Sequence, residues 1–373
     1  MIRSRYDHIL NDLEKKMVFL TGPRQTGKTW LAREISKNFP NSLYLNYDRR
    51  EDRRIIMDEA WLDTTDLLIL DELHKMEGWK NYIKGVYDTR PESMRILVTG
   101  SARLETFSQS GDSLAGRYFR HRLFPFTPSE LVYADRNDLI PLLLTRSGFP
   151  EPLLADSEED ADRWRMQYSD ALIRQDILDF EKIHDLRAIH VVLDLLRDRV
   201  GSPVSYTSIA EDAGISPNTV KKYISIFESL YIVFRVTPFS KNIARSILKE
   251  PKIYFFDTGM VRGNEGVRFE NLAAVSLLKY SAGMYDCRGK NYDLKYMRTK
   301  NGIEVDFCVT NDNKPELIIE VKNSDSDLSK NLLYFHQKYN LKAVQIVLHL
   351  KRERKEQEIE IREGMKFLSL LEY

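Results

Sequence analysis

The sequence predicts an α/β protein with a parallel sheet at its front, and three observations carry that expectation. Short apolar strands alternate with helical stretches, the pattern of a parallel sheet covered on both faces. A glycine-rich loop joins the first strand to a helical stretch. The pattern then changes character near Pro203 and again near Phe269. With 373 residues the chain is long enough for two or three domains. The pattern divides it into a sheet core over residues 1–135, a helical lid or bridge over 136–202, a middle module over 203–262 and a second α/β region over 263–373.

Residues 2–15 read as a short amphipathic helix leading into a strand at 17–20. After the loop, residues 30–38 have helical character, and further strands are expected at 43–47, 67–70 and 96–99. A β-rich stretch at 118–126 closes the sheet core, punctuated by Pro125 and Pro128. Residues 158–199 are helical by period and charge, with Trp164, Tyr168, Leu172, Ile177 and Phe180 at buried positions. From about residue 269 a helix, strands at 297–298, 304–309, 317–322 and 343–348, and a last helix are expected.

Composition limits the classes of function. Lys+Arg and Asp+Glu number 56 each, so a nucleic-acid partner has to be recognised by a local basic surface. Cys287 and Cys308 are the two cysteines, too few for a disulfide framework and not spaced to hold zinc. The first twenty residues mix charge with apolar side chains, unlike a signal peptide, and no apolar run approaches membrane-spanning length. A cytoplasmic protein without a membrane partner is expected.

The strongest motif is Gly22-Pro23-Arg24-Gln25-Thr26-Gly27-Lys28-Thr29, which fits G-x-x-x-x-G-K-[ST] at every fixed position and lies between a strand and a helix. Glycines let the backbone curl so that several N–H groups point at a phosphate, and the following helix adds its positive end. ATP and Mg2+ are the expected ligands, with Lys28 on the β/γ oxygens and the Thr29 hydroxyl in the metal shell. Leu67-Leu68-Ile69-Leu70-Asp71-Glu72 is an apolar strand ending in two carboxylates. Asp71 is expected on the metal and Glu72 as the base that orients and deprotonates water. Ser101, after the strand at 96–99, is either a sensor beside the γ-phosphate or a turn serine.

Together these parts resemble the AAA+ class of P-loop ATPases. The run from Gly22 to Thr29, Asp71-Glu72 and Thr99-Gly100-Ser101-Ala102 look more narrowly like one bacterial and archaeal family, which joins such an ATPase to a C-terminal region. Leu114-Ala115-Gly116-Arg117, Phe124-Pro125-Phe126, Gly148-Phe149-Pro150-Glu151 and Asp257-Thr258-Gly259 are similar to that family too, the last with no chemical role attached. The resemblance implies rings or other homo-oligomeric assemblies, although no subunit interface can be read. Arg117 is a candidate for stabilising charge on the γ-phosphate, in cis or across a subunit contact, with a structural salt bridge as the alternative.

In the middle region, 207–212 and 217–230 read as the two helices of a helix-turn-helix. Ala213-Gly214-Ile215 forms the turn, Ser216 the N-cap and Pro217 the first helical position. The second helix carries Asn218, Thr219, Lys221 and Lys222 near one face. Strands at 231–236 and 252–256 would flank a loop holding Lys241, Arg245 and Lys249, a winged-helix pattern with a basic wing. DNA is the expected partner of such a module; a protein-contact role or a helical spacer is the alternative.

In the last region Glu270 lies on a helix, Asp306 in Gly302-Ile303-Glu304-Val305-Asp306-Phe307, and Glu320 and Lys322 at the end of the apolar strand 317–322. Alternation puts Glu320 and Lys322 on one face. This order resembles the PD-(D/E)xK nucleases. The resemblance implies a metal held by Glu270, Asp306 and Glu320, with Lys322 activating water or neutralising charge at a scissile phosphate. The alternative is a degenerate nuclease fold that binds without cutting. Two functions therefore stand side by side. One is an ATP-driven machine acting on DNA; the other is a regulatory or remodelling ATPase acting on protein partners.

Overall fold

The computed structural model describes residues 1–100, 114–173, 186–240 and 250–372. The chain divides into two compact units, Met1–Phe124 and Pro125–Tyr373, a coarser partition than the four segments expected from sequence.

The first unit contains β1 (Met17–Thr21), β2 (Ser42–Asn46), β3 (Leu67–Asp71), β4 (Arg95–Thr99) and β5 (Tyr118–Arg122). They form one sheet of order β2-β3-β4-β1-β5 in which every neighbouring pair is parallel. Helices α1 (Tyr6–Leu13), α2 (Lys28–Ser36), α3 (Arg50–Met57) and α4 (Trp79–Thr89) cover it. The two-residue period of the strands sorts their side chains between two cores. Val18, Leu20, Leu67, Ile69 and Leu97 pack with Ile9 and Leu13 of α1 and Leu31, Ala32 and Ile35 of α2. Met17, Phe19, Leu68, Leu70, Ile96 and Val98 pack with Ile56 of α3 and Trp79, Ile83 and Val86 of α4. Burial on both faces is why these strands are continuous apolar runs.

The first helix is shorter than residues 2–15 because Arg3 and Arg5, both buried, precede it. Arg3 donates to the carbonyls of Thr26 (2.7 Å) and Phe124 (2.5 Å), so its side chain ties the start of the chain to the glycine-rich loop.

The second unit begins with the short helices α5 (Pro128–Tyr133) and α6 (Pro150–Leu153), followed by α7 (Glu158–Ala171) and α8 (Leu186–Arg197). Ser157 caps α7 by accepting the Asp160 N–H at 3.1 Å, and Trp164 stacks on Tyr168 at 4.7 Å. Ile177 and Phe180 lie outside the described residues. Helices α9 (Tyr206–Ala213) and α10 (Pro217–Ser229) follow, then β6 (Val233–Pro238) and β7 (Lys252–Phe255). The strand expected at 231 begins two residues later because Tyr231 adopts φ 56°, turning the chain out of α10.

Strands β6 and β7 pair antiparallel, as a hairpin should, but β6 also pairs in parallel with β8 (Tyr292–Arg298). The hairpin is thus the edge of a larger sheet with β9 (Glu304–Asn311), β10 (Lys314–Ser324), β11 (Lys342–His349), β12 (Arg354–Glu356) and β13 (Ile359–Glu363). Its order is β12-β13-β11-β10-β9-β8-β6-β7. The long helix α11 (Glu265–Arg288), α12 (Lys330–Tyr339) and α13 (Gly364–Ser369) complete the unit.

Asp257-Thr258-Gly259 closes the end of β7. The buried Asp257 carboxylate accepts from Arg165 Nε (3.1 Å) and from the Gly259 N–H (2.9 Å). Asn271 of α11 exchanges hydrogen bonds with both backbone groups of Phe255 and donates to Thr258 Oγ1 at 3.3 Å. The tripeptide satisfies a strand end whose polar groups would otherwise be buried alone.

Candidate functional site

The loop Gly22–Thr29 runs from the C-terminal end of β1 into α2, whose first residue is Lys28. Gly22 has φ 132°, and a Cβ there would collide with the carbonyl oxygen of Leu123. Gly27, at φ 89°, is the N-cap of α2, and Gln25 also adopts positive φ. The Thr26 hydroxyl donates to the Pro23 carbonyl at 2.9 Å, which with Arg3 fixes the loop from two sides. Lys28 is buried, and its Nζ lies inside the loop, 3.0 Å from the Gly22 oxygen and 2.5 Å from that of Pro23. Arg24 lies on the same curl of chain.

Strand β4 lies between β1 and β3, so its C-terminal end falls between the loop and the acidic pair. Asp71 Oδ2 accepts from the Thr29 hydroxyl at 3.0 Å and the Tyr44 hydroxyl at 2.5 Å, and Oδ1 accepts from the Thr99 hydroxyl. Burial and the neighbouring Asp71 carboxylate push the Tyr44 phenol up to about 12, so it remains a donor at neutral pH. The hydroxyl of Thr29 and the carboxylate of Asp71, in direct contact, are oxygen donors of the kind that would suit a magnesium ion.

Glu72 follows with φ 57° and ψ 22°, a left-handed conformation uncommon for a residue with a Cβ. Its N–H is held by the Thr99 carbonyl at 3.0 Å. Burial raises the Glu72 carboxyl above its ordinary value, with Lys75, 3.5 Å away, pulling the other way. Tyr44 and Thr99 were not among the sequence candidates. Both reach Asp71 only through strand pairing, and the one available signal was a polar residue inside an apolar strand.

The expected sensor Ser101 lies outside the described residues, as do Lys241, Arg245 and Lys249 of the expected basic wing. Arg117 forms the kind of salt bridge that was the alternative reading of this residue. Its carbonyl accepts the Met17 N–H, which places it at the start of β1, whereas the loop follows the end of that five-residue strand. The two are separated by about 13 Å of strand. Its guanidinium instead holds Asp88 through two hydrogen bonds of 2.8 and 3.0 Å.

In the C-terminal sheet the expected metal ligands surround an ammonium group. Lys252 of β7, 1% exposed, places Nζ 2.9 Å from Glu304, 3.2 Å from Asp306 and 3.6 Å from Glu270. Burial alone would lower the Lys252 pKa, yet Asp306, Glu270 and Glu304 together hold it above the usual lysine value. Asp306 Oδ2 accepts the Val321 N–H at 3.0 Å, and Glu270 Oε1 accepts the Tyr254 hydroxyl at 2.7 Å. Burial, reinforced by Asp306, pushes Glu270 up to about 7. Glu320 accepts from Lys322 (2.7 Å) and Ser329 (3.2 Å) through Oε1. Among the described residues no group of three or more His, Cys, Asp or Glu side chains is arranged to hold a metal. Lys252 is bonded to oxygens of Glu270, Glu304 and Asp306, whereas Glu320 is bonded to Lys322 and Ser329. Lys322 does sit beside Glu320, as the Glu-x-Lys spacing predicts.

The helix pair follows its sequence signals. Gly214 ends α9 in the left-handed conformation, and Ser216 caps α10 by accepting the Thr219 N–H at 3.1 Å. Asn218, Lys221 and Lys222 are exposed on α10, whereas Val220, Tyr223, Ile224 and Phe227 are buried.

The parallel sheet, the phosphate-shaped loop and the Thr29–Asp71–Thr99 set give the first unit the form of a P-loop NTPase-like domain. Residues 14–132 match the family model described as AAA domain. Residues 137–269 and 265–373 match two models, each described as a domain of unknown function (DUF8612 and DUF4143). An uncharacterized protein of Mycobacterium tuberculosis is 26% identical over 255 residues, covering 67% of this chain and 56% of the relative. This chain thus spans little more than half of that relative's length. An uncharacterized protein of Methanocaldococcus jannaschii is 26% identical over 356 residues, covering 83% of this chain and 76% of the relative. Among solved structures, the Walker-type ATPase PABY2304 of Pyrococcus abyssi is 14% identical, with 72% of this chain and 96% of that one covered at a TM-score of 0.45. The Aeropyrum pernix ORC1 protein in complex with DNA is also 14% identical, covering 74% and 93% at a TM-score of 0.30. No helix among the described residues is long and apolar enough to cross a membrane.

Proposed function

We propose that this chain hydrolyses ATP with magnesium and couples that turnover to engagement of DNA, the C-terminal sheet serving as a binding output. The observation that carries the ATPase reading is the contact of the Thr29 hydroxyl with Asp71, itself held by Tyr44 and Thr99. Thr29 and Asp71 would hold magnesium, which would supply positive charge to offset that of the phosphates. Lys28 exchanges its loop carbonyls for phosphate oxygens. Glu72 orients a water whose oxygen bonds to the γ-phosphorus as the bond to the β–γ bridging oxygen breaks, and takes the proton released. A carboxyl raised by burial is a better proton acceptor than an ordinary one.

The exposed Asn218, Lys221 and Lys222 support DNA as the partner, because polar and basic side chains at the front of a second helix can reach base edges and phosphates. Replacing both lysines by alanine should weaken binding of a fluorescent duplex and make its salt dependence shallower, by about 0.9 in log–log slope for each phosphate no longer neutralised. Unchanged anisotropy titrations, or no DNA binding even at low salt, would instead favour a remodelling ATPase acting on protein partners. The lysine-filled carboxylate cluster favours a non-cutting C-terminal region under either reading.

A further inference from the structure

We infer that Lys252 is the built-in cation of the C-terminal carboxylate cluster, so that this sheet works without a divalent metal, and that removing the Lys252 ammonium creates a metal site. The inference stands apart from the ATPase assignment. It rests on the use already made of the oxygens. Glu304 Oε1, Asp306 Oδ1 and Glu270 Oε1 converge on Nζ within 3.6 Å. Asp306 Oδ2 is held by a backbone N–H, and Glu320 Oε1 by Lys322 and Ser329. Glu320 Oε2, buried and without a hydrogen-bond partner, is one carboxylate oxygen, whereas magnesium or manganese needs about six donors in near-octahedral array.

Two features of the fold make Lys252 a fixed component and not a passing neighbour. It belongs to β7, whose neighbour β6 joins the hairpin to β8, so strand pairing delivers the residue to the cluster. Its side chain is 1% exposed, with Nζ 5.6 Å from the centre of the Tyr296 ring. An ammonium held between three carboxylates and beside an aromatic ring has its charge compensated within the fold. With Lys252 shortened, Glu304, Asp306 and Glu270 would present oxygens into one space beside the unpartnered Glu320 Oε2. Their mutual repulsion would then favour a metal.

The test is equilibrium binding of Mn2+ to the full chain without nucleotide, followed by the electron paramagnetic resonance signal of free manganese. The wild-type chain should take up no stoichiometric Mn2+ that depends on Asp306. Lys252→Ala should gain one site, at least about tenfold tighter than any residual binding, and should lose it again in Lys252→Ala combined with Asp306→Asn. Thermal melting gives a second measurement: Mn2+ should raise the melting temperature of Lys252→Ala by more than it raises that of the wild type or of Lys252→Ala combined with Asp306→Asn. Stoichiometric Mn2+ binding by the wild-type chain that disappears in Asp306→Asn would overturn the inference, whether or not Lys252→Ala folds. A folded Lys252→Ala chain that gains no site would also overturn it.

Discussion

Thr99 shows how much of the nucleotide site depends on single hydroxyl groups. Its Oγ1 donates to Asp71 Oδ1, while Thr29 and Tyr44 share Oδ2, so the carboxylate is oriented by three donors from β4, α2 and β2. Valine has nearly the same shape but cannot donate. Thr99→Val should therefore leave the melting temperature close to wild type but leave Asp71 less firmly oriented. A hydrogen bond to a charged group contributes about 1.5–3 kcal/mol, so the magnesium concentration giving half-maximal turnover should rise about tenfold or more. A magnesium titration of ATP turnover reads this directly, and an unchanged midpoint would remove Thr99 from the site. Thr29 and Asp71 were legible in the sequence, but the parts of Tyr44 and Thr99 were not. Tyr44 and Thr99 lie 27 and 28 positions from Asp71 and meet it only through the pairing of β2, β3 and β4.

At the scale of elements, the Asp257 turn and the carboxylate cluster each fix one end of β7. A Cβ at Gly259 would collide with the Arg165 guanidinium, which is 6% exposed and paired with the 2% exposed Asp257. Gly259→Ala should break that buried pair and cost about 3–5 kcal/mol, read as a lower denaturation midpoint at unchanged slope. Glu270 provides a pH signature. Its folded pKa of about 7 lies above the ordinary 4.5, so the folded chain binds the extra proton between those values. This contribution makes stability fall as pH rises from about 4.5 to about 7. Lys252, raised further above its ordinary 10.5, stays charged across that window. Glu270→Gln should flatten this part of the stability profile in denaturant titrations, and an unaltered profile would show that Glu270 titrates normally. The helix pair was legible because its signals are local: Gly214 at a positive-φ position, Ser216 as cap and Pro217 behind it. In the Lys252 cluster Glu270 and Asp306 were legible as candidates, but Lys252 and Glu304 were not, because the parallel pairing of β6 with β8 leaves no mark in a one-dimensional pattern.

On the scale of the whole molecule, two compact units divide the work proposed here. The first was largely legible: β1, β3 and β4 are apolar runs because both their faces are buried, and the loop and acidic pair sit at their ends. The second was legible as elements and less so as a sheet, since its hairpin and its later strands form one eight-stranded array. Balanced charge, 56 residues of each sign, leaves any DNA contact to local surfaces such as the exposed lysines of α10. The proposed turnover of ATP by the first unit depends on Glu72. It is tested most directly by measuring ATP binding and magnesium-dependent phosphate release on the same preparations of wild type, Lys28→Ala and Glu72→Gln. Glu72→Gln should bind ATP like wild type but release phosphate about 10²–10⁴-fold more slowly, while Lys28→Ala should lose binding. Phosphate release by Glu72→Gln at the wild-type rate would contradict that dependence.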